Sequence, residues 1–248
     1  KPLRSNSSTD DWWSLVDELV LEHQSLRRLQ CLQRLTNLRC AYFRNNEIFR
    51  IEGLDKCTAL EKLSFEGNAI SAIDGLNCLR SLKELNLSEN YISSIENISP
   101  FLLHLTRLSL ENNLICSLEG ISDLTALVEL YIGNNQLSDR RCVQPLKQIM
   151  TLIILDLAGN PFCSVEHYRN YIIYHLRQVK VLDGDSVDSI ELSAAKNRFG
   201  GRLTRELLEE KTGCRSFSDF TVLDLSRLRV RDIGDIFFEP DFRCLREI

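Results

Sequence analysis

An eleven-residue pattern, LxxLxLxxNxI, recurs along the chain and constrains its fold more than any other feature. It is clearest at residues 82–92 and occurs again at 38–48, 60–70, 105–115 and 127–137, with a shortened copy at 152–160. Its asparagine falls in steps of 22, 22, 23, 22 and 25 residues, at Asn46, Asn68, Asn90, Asn113, Asn135 and Asn160. Self-similarity at one period predicts a stack of similar units, each of which contacts its neighbours along the chain.

This pattern is typical of a leucine-rich repeat, in which each unit is a short strand followed by a tight turn and a return segment. We therefore predict an α/β fold: a right-handed leucine-rich-repeat solenoid (horseshoe) with short parallel strands on its concave face. Helical or 3-10 turns are expected on the convex face, and a helical cap is expected at the C-terminal end. Because no single repeat can bury its own apolar face, the array should fold as one cooperative stack.

Strand alternation assigns the side chains of each repeat to two faces. In the repeat at 82–92, Leu85 and Leu87 point into the solenoid, whereas Glu84 and Asn86 point out of the concave face. The recurring asparagine should turn inward where the chain leaves the strand. Its amide can bond backbone N–H and C=O groups that a buried bend would otherwise leave unpaired. The six asparagines are therefore predicted to form a structural ladder.

The chain divides into five predicted segments. Residues 1–15 form an N-terminal cap or tail, in which Trp12 and Trp13 are expected to cover the open edge of the stack. The repeats occupy 16–160, and the longer turn at 138–150 predicts a fuller convex helix with Asp139 near its N-cap. Residues 161–184 form the repeat cap, with an amphipathic helix at 168–176 and a final edge strand at 179–184.

Beyond the cap the repeat is interrupted and then begins again. Residues 185–215 are predicted to be a helical linker, with helices at 189–198 and 203–211 separated by Gly200 and Gly201. Residues 216–248 restart the leucine spacing and are predicted to begin a second, truncated repeat segment. The chain also starts at Lys1 and contains one methionine, which predicts that it is a piece of a longer protein.

Composition argues against several classes of function. A net charge of −5 does not suggest an electrostatic nucleic-acid footprint. No apolar run approaches the roughly 18 residues that a membrane span needs. Nine cysteines with irregular spacing predict free thiols in a reducing, intracellular and cytoplasmic compartment. Cys57, for example, takes a core position that is leucine in other repeats.

Three resemblances are carried by particular motifs. The IxxIxGL tail at 70–76 resembles the repeat class of phosphatase-one regulators and of dynein light chain one. The ending NP at 160–161 and VLDG at 181–184 is similar to the cap of the spliceosomal A-prime family of the U2 particle. The runs at 109–113, 127–132, 154–157 and 199–204 resemble the family of leucine-rich repeat-containing protein 9, over roughly residues 36–235. This last resemblance implies one block of a multi-array protein from ciliated or flagellated cells.

The register predicts a partner-binding surface on the concave face. Its outward positions are Tyr42, Arg44, Lys62, Glu66, Glu84, Asn86, Arg107, Glu111, Glu129, Tyr131 and Asp156, with Glu89, Asn112 and Asn134 at the strand ends. Tyrosines are amphipathic anchors enriched at interfaces, and the interspersed carboxylates suit a basic partner segment. We expect a protein partner, and no direct nucleic acid, membrane or small-molecule ligand.

No catalytic residue, metal ligand or cofactor site is predicted. His167 and His175 are eight residues apart on the cap helix, unlike the i, i+4 pair of a helical metal site. No His and Cys cluster has zinc spacing, and Gly200 and Gly201 belong to no phosphate loop. The leading hypothesis is a non-catalytic scaffold in a large intracellular assembly, ciliary or axonemal. The alternatives are a regulatory subunit of protein phosphatase one, an A-prime-like partner of an RNA-recognition-domain protein, and an enzyme whose pocket no motif reveals.

Overall fold

The structure is a computed structural model that describes residues 12–95, 98, 101–201, 203–214, 216–226, 230–233, 236–238 and 242. The chain separates into two compact units, Lys1–Glu166 with Gln178–Ser186, and His167–Arg177 with Val187–Ile248. Within the described residues, no helix combines the length and the apolar character that crossing a membrane requires.

The first unit is built on one nine-stranded sheet whose order follows the sequence. Its strands are β1 (Glu18–Val20), β2 (Cys40–Tyr42), β3 (Lys62–Ser64), β4 (Glu84–Asn86), β5 (Arg107–Ser109), β6 (Glu129–Tyr131), β7 (Ile154–Asp156), β8 (Val181–Leu182) and β9 (Asp185–Ser186). Strands β1 to β8 pair in parallel at equivalent repeat positions, as Leu85 does with Leu63 and Leu108. The predicted leucine-rich-repeat solenoid is confirmed.

Alternation along each strand places its middle side chain in the core. The resulting column is buried throughout and consists of Leu63, Leu85, Leu108, Leu130 and Leu155. A second column starts with Phe43 and Phe65, whose rings stack with their centroids 5.2 Å apart. Cys57 is fully buried at its predicted core position.

Short 3-10 helices turn the chain on the side opposite the sheet, at Ile121–Asp123 and Arg140–Gln148. The second corresponds to the predicted convex helix, and the Asp139 side chain caps it by accepting from Arg141 N at 2.9 Å. Other repeats turn more tightly. At Gly75 the chain has φ of 70°, and a Cβ there would collide with the Ile51 carbonyl oxygen, so this turn requires glycine.

Two predictions at the ends of the array were wrong. The strand at 179–184 is not an edge strand, because positive φ at Asp183 and Gly184 reverses the chain and lets β9 pair antiparallel with β8. Trp12 does not cover the N-terminal edge, since 53% of it is exposed. The 3-10 helix Trp12–Leu15 turns only Trp13 inward, where the Arg34 guanidinium lies 5.0 Å from its ring centroid. Residues 1–11 of the predicted tail lie outside the described residues.

The described residues of the second unit contain three α-helices, α1 (Tyr168–His175), α2 (Ser189–Phe199) and α3 (Arg205–Thr212), which correspond to the three helices predicted from residue 168 onwards. A reciprocal capping box between Asp188 and Glu191 starts α2. The ring of Phe199 meets those of Tyr171 and Tyr174, with centroids 5.7 and 5.9 Å away.

A small apolar cluster follows α2 in this unit. Its buried members are Leu203, Leu208, Phe217, Leu223, Ile236 and Phe242. The 3-10 helix Ile236–Phe238 contributes to it. Arg202 and much of 227–248 lie outside the described residues, and the assignment of 185–215 as a linker and 216–248 as a second repeat segment stays a prediction.

Candidate functional site

The outward side chains of the sheet form three rows that cross the strands. The first row consists of alternating charges at the first strand position, Lys62, Glu84, Arg107 and Glu129. Lys62 Nζ lies 2.8 Å from Glu84 Oε1, and Arg107 Nε lies 2.7 Å from Glu129 Oε2. The hydrogen bond from Arg107 holds the pKa of Glu129 below its usual value. These four predicted contact residues therefore already pair with one another in the unbound chain.

The middle row places two tyrosines on either side of a floor of small polar residues. Tyr42 lies on β2 and Tyr131 on β6, while Ser64, Asn86 and Ser109 occupy the strands between them. Four strand spacings of about 4.8 Å separate the tyrosines by roughly 19 Å. Tyr131 Oη donates to Glu129 Oε2 at 3.0 Å, which fixes that ring against the first row. The predicted anchors thus bound a trough along the sheet.

The third row continues the register two residues beyond the strands, through Arg44, Glu66, Ser88 and Glu111. Backbone bonds hold these segments side by side, from Gly67 N to Ser88 O at 3.0 Å and from Glu89 N to Glu111 O at 2.8 Å. Glu66 is partly compensated, because Asn86 Nδ2 donates to its Oε2 at 2.9 Å and Arg44 Nε lies 3.5 Å away.

Glu111 lies at the acidic end of this row. Burial raises its pKa, and repulsion from Asp156, Glu66 and Glu89 raises it further. Among the described residues, the Glu111 carboxylate accepts no hydrogen bond and forms no ion pair. The concave face therefore combines paired charges in its first row with one unpaired carboxylate, that of Glu111, in its third row.

Sequence reasoning missed several residues of this face. Ser64, Ser88 and Ser109 form part of its floor. The repeat register could have identified them, because they occupy the same repeat positions as residues that were predicted. It also missed a charged row before the strands, where Glu61 accepts from Arg39 and, at 2.6 Å, from Lys83 Nζ. Those two bonds, led by that of Lys83, lower the pKa of Glu61. This row lines an open groove that also includes His104.

The strand-end residues Glu89, Asn112 and Asn134 are turn residues as well as surface residues. Each immediately precedes a ladder asparagine and has positive φ, of 56°, 54° and 52° respectively. The equivalent positions are His23, Asn45, Gly67 and Gly159, which share the left-handed conformation. The recurring tight turn therefore imposes one backbone conformation on unlike residues.

The asparagine ladder is present in full. Asn90 is typical: its Oδ1 accepts from Ile70 N at 3.0 Å, and its Nδ2 donates to the carbonyls of Phe65, Leu87 and Ser88 at 2.9–3.1 Å. Equivalent bonds involve Asn46, Asn68, Asn113, Asn135 and Asn160. Asp183 takes the next place, where it accepts from Leu157 N at 2.8 Å. The ladder thus joins successive repeats through their backbones.

The described part of the chain contains no group of three or more His, Cys, Asp or Glu that could hold a metal ion. The eight described cysteines are free thiols. His23 and His104 lie in the first unit, whereas His167 precedes α1 and His175 ends it; none of the four belongs to such a group.

Comparison with known proteins gives consistent matches. The profile of the family described as Leucine-rich repeat matches residues 83–212, more than half of the chain, and a two-copy leucine-rich-repeat profile matches residues 58–101. The human U2 small nuclear ribonucleoprotein A' is 34% identical over 68 residues, which span 27% of this chain and 27% of that protein. The chain therefore matches only about a quarter of that relative's length.

Solved structures agree with the fold. A leucine-rich repeat protein of Leptospira interrogans has a TM-score of 0.53 and 27% identity, covering 60% of this chain and 38% of that one. The SNF/U2A' complex of Drosophila melanogaster has a TM-score of 0.50 and 28% identity, covering 52% of this chain and 76% of that chain.

Proposed function

This chain belongs to the leucine-rich repeat family, and on that premise we propose that it is a non-catalytic scaffold that binds a protein partner on its concave face. Leucine-rich repeats suggest a protein–protein interaction scaffold, and proteins of this kind are typically non-catalytic interaction modules. Parallel strands stacked in register give such a module a continuous surface.

The trough between Tyr42 and Tyr131 is the observation that carries the proposal. Both rings are half-buried rather than fully packed, so each can add apolar contact area when a partner covers it. The roughly 19 Å between their strands exceeds the diameter of about 10–12 Å of an α-helix with its side chains. An open cavity on this face is lined by Tyr42 and by the small floor residues Ser64, Asn86 and Ser109.

A pull-down from lysate of the source cells tests this proposal. The variant combining Tyr42→Ala, Glu111→Lys and Tyr131→Ala should lose partners that the unaltered chain captures, since interface energy concentrates in a few aromatic anchors. Tyr91→Ala is a matched control, because Tyr91 is 60% exposed but lies beyond the strands, next to the ladder. Capture of the same partners by the triple variant would refute this face as the binding surface.

An A-prime-like role is the second candidate. The match to the U2 small nuclear ribonucleoprotein A' and the similarity to the SNF/U2A' complex favour it. In this role the partner would be an RNA-recognition-domain protein, and the chain itself would not contact RNA. Titration of the chain with an isolated RNA-recognition domain, with and without RNA, measures this directly. Binding of RNA by the chain when the domain is absent would contradict this role.

The cellular setting and the absence of catalysis are parts of the proposal. The resemblance to the family of leucine-rich repeat-containing protein 9 supports a ciliary or axonemal assembly in the cytoplasm, whereas an A-prime-like role would be nuclear. Imaging of the tagged full-length protein in ciliated cells separates these locations.

Regulation of protein phosphatase one rests on the repeat class alone, and a titration with its catalytic subunit tests it.

A further inference from the structure

Ser88 is an unusual residue for the centre of a partner-binding face. It is 6% exposed, and within the described part of the chain its Oγ is the one buried side-chain polar atom without a hydrogen-bond partner. A buried hydroxyl left unpaired costs free energy, so such an atom in a native structure needs an explanation. Its neighbour Asn86 does not satisfy it, since Asn86 Oδ1 accepts from Ser88 N and its Nδ2 donates to Glu66.

The position of Ser88 links it to the acidic end of the concave face. By strand alternation it faces the same side as Glu84 and Asn86. The backbone bonds that join segments 66–67, 88–89 and 111 place it between Glu66 and Glu111. The backbones of these two glutamates are therefore about 10 Å apart, two strand spacings, with the hydroxyl between them.

We infer that this acidic site binds a basic side chain, the lysine or arginine of a partner's peptide segment, between Glu66 and Glu111 with the Ser88 hydroxyl as an additional contact. The inference rests on the proposed function and specifies the chemistry of the partner. The hydroxyl oxygen is covered in the unbound chain, so neighbouring side chains must move aside for it to accept a hydrogen bond from the incoming N–H. An ammonium or guanidinium group is favoured over a metal ion, because these carboxylates form no cluster that could hold one.

Electrostatics supports the same occupant. Glu111 and Glu89 form no ion pair with any described residue, unlike the glutamates of the first row. Asp156 lies close enough to add to the repulsion at Glu111. An incoming positive charge relieves this repulsion, so charge complementarity contributes to orientation as well as to affinity.

Fluorescence anisotropy with a labelled synthetic peptide of alternating lysine and glycine, and an arginine counterpart, tests the inference at low ionic strength. Glu111→Gln should weaken binding about tenfold, the effect expected for losing one charge-assisted bond. Glu119→Gln is the matched control, since it removes the same charge from an exposed turn and should leave binding within about twofold. Equal losses in the two variants would show binding to net charge alone and overturn the inference.

Ser88→Ala separates a binding role from a structural one. The variant should fold with unchanged or greater stability, because it removes a polar atom that has no partner, yet it should bind the peptides several-fold more weakly. Unchanged affinity in this variant would also overturn the site. If neither peptide binds while the tyrosine variants still lose their protein partners, the basic-segment inference fails and the proposed function stands.

Discussion

At the scale of single residues, the left-handed turn before each ladder asparagine shows how the fold constrains the sequence. Glu89 has a φ of 56° at a position where the other repeats have asparagine or glycine, apart from the first, which has His23. Left-handed backbone costs most L-residues about 1–2 kcal/mol, and asparagine tolerates it best after glycine. We expect Glu89→Asn to raise the free energy of unfolding by roughly 0.5–1 kcal/mol in urea denaturation. Glu89→Gln removes the same charge without the conformational gain, and an equal effect of both variants would contradict this explanation.

Thiol reactivity is a second property decided residue by residue. Burial raises the pKa of Cys142 to about 12, and it also raises the pKa of Cys57. Because the thiolate is the reactive form, iodoacetamide at about pH 8 should leave these two thiols unmodified in the folded protein. The exposed Cys78 and Cys116 should be alkylated under the same conditions. Mass spectrometry of peptides measures each site, with the urea-unfolded chain as the control in which all four react.

At the scale of elements, the ladder determines how one repeat is joined to the next. Asn90→Ala leaves Ile70 N and three carbonyls without their side-chain partner in a buried bend. We expect a loss of about 1–3 kcal/mol in the free energy of unfolding. Asn77→Ala, at an exposed turn position, should stay within about 0.5 kcal/mol. If chemical denaturation gave the two variants equal stability, the ladder hydrogen bonds would make no net contribution to the free energy of unfolding.

The concave rows give a prediction for the pH dependence of stability. The pKa of Glu111 is raised above the unfolded value of about 4.3, so the native state holds the proton more tightly than the unfolded state does. The free energy of unfolding therefore falls as the pH rises from the unfolded pKa through the folded pKa. Glu111→Gln should therefore be more stable than the unaltered chain at pH 7, and this gain should vanish below about pH 4. The pKa of Glu129 is lowered instead, so Glu129→Gln should lose stability at pH 7. Urea denaturation at pH 7 and below about pH 4 measures whether the two variants change the free energy of unfolding in these opposite directions.

At the scale of the whole molecule, the sequence predicts whatever is repeated and misses what depends on neighbours. The strands, the leucine columns and the ladder could be predicted because each repeat contains the residues that form them. The bond from Asn86 to Glu66 could not, since it joins side chains 20 residues apart whose rotamers are set by packing. The same holds for the unpaired Ser88 and for the reversal at Asp183 that adds β9. The apolar cluster of the second unit likewise joins residues that no period relates.

Cooperativity of the array is the property that belongs to no single repeat. Leu85 is 1% exposed and stacks between Leu63 and Leu108, so Leu85→Ala opens a cavity shared by three repeats. We expect a loss of about 2–5 kcal/mol in the free energy of unfolding. Hydrogen exchange should show amide protection falling together in β2 and β7, because nearest-neighbour interfaces couple the whole stack. Leu103→Ala, at a side chain 58% exposed, is the control and should leave protection unchanged. Loss confined to β4 and its two neighbours would mean that the repeats open independently, and that the concave face is not one continuous, rigid surface.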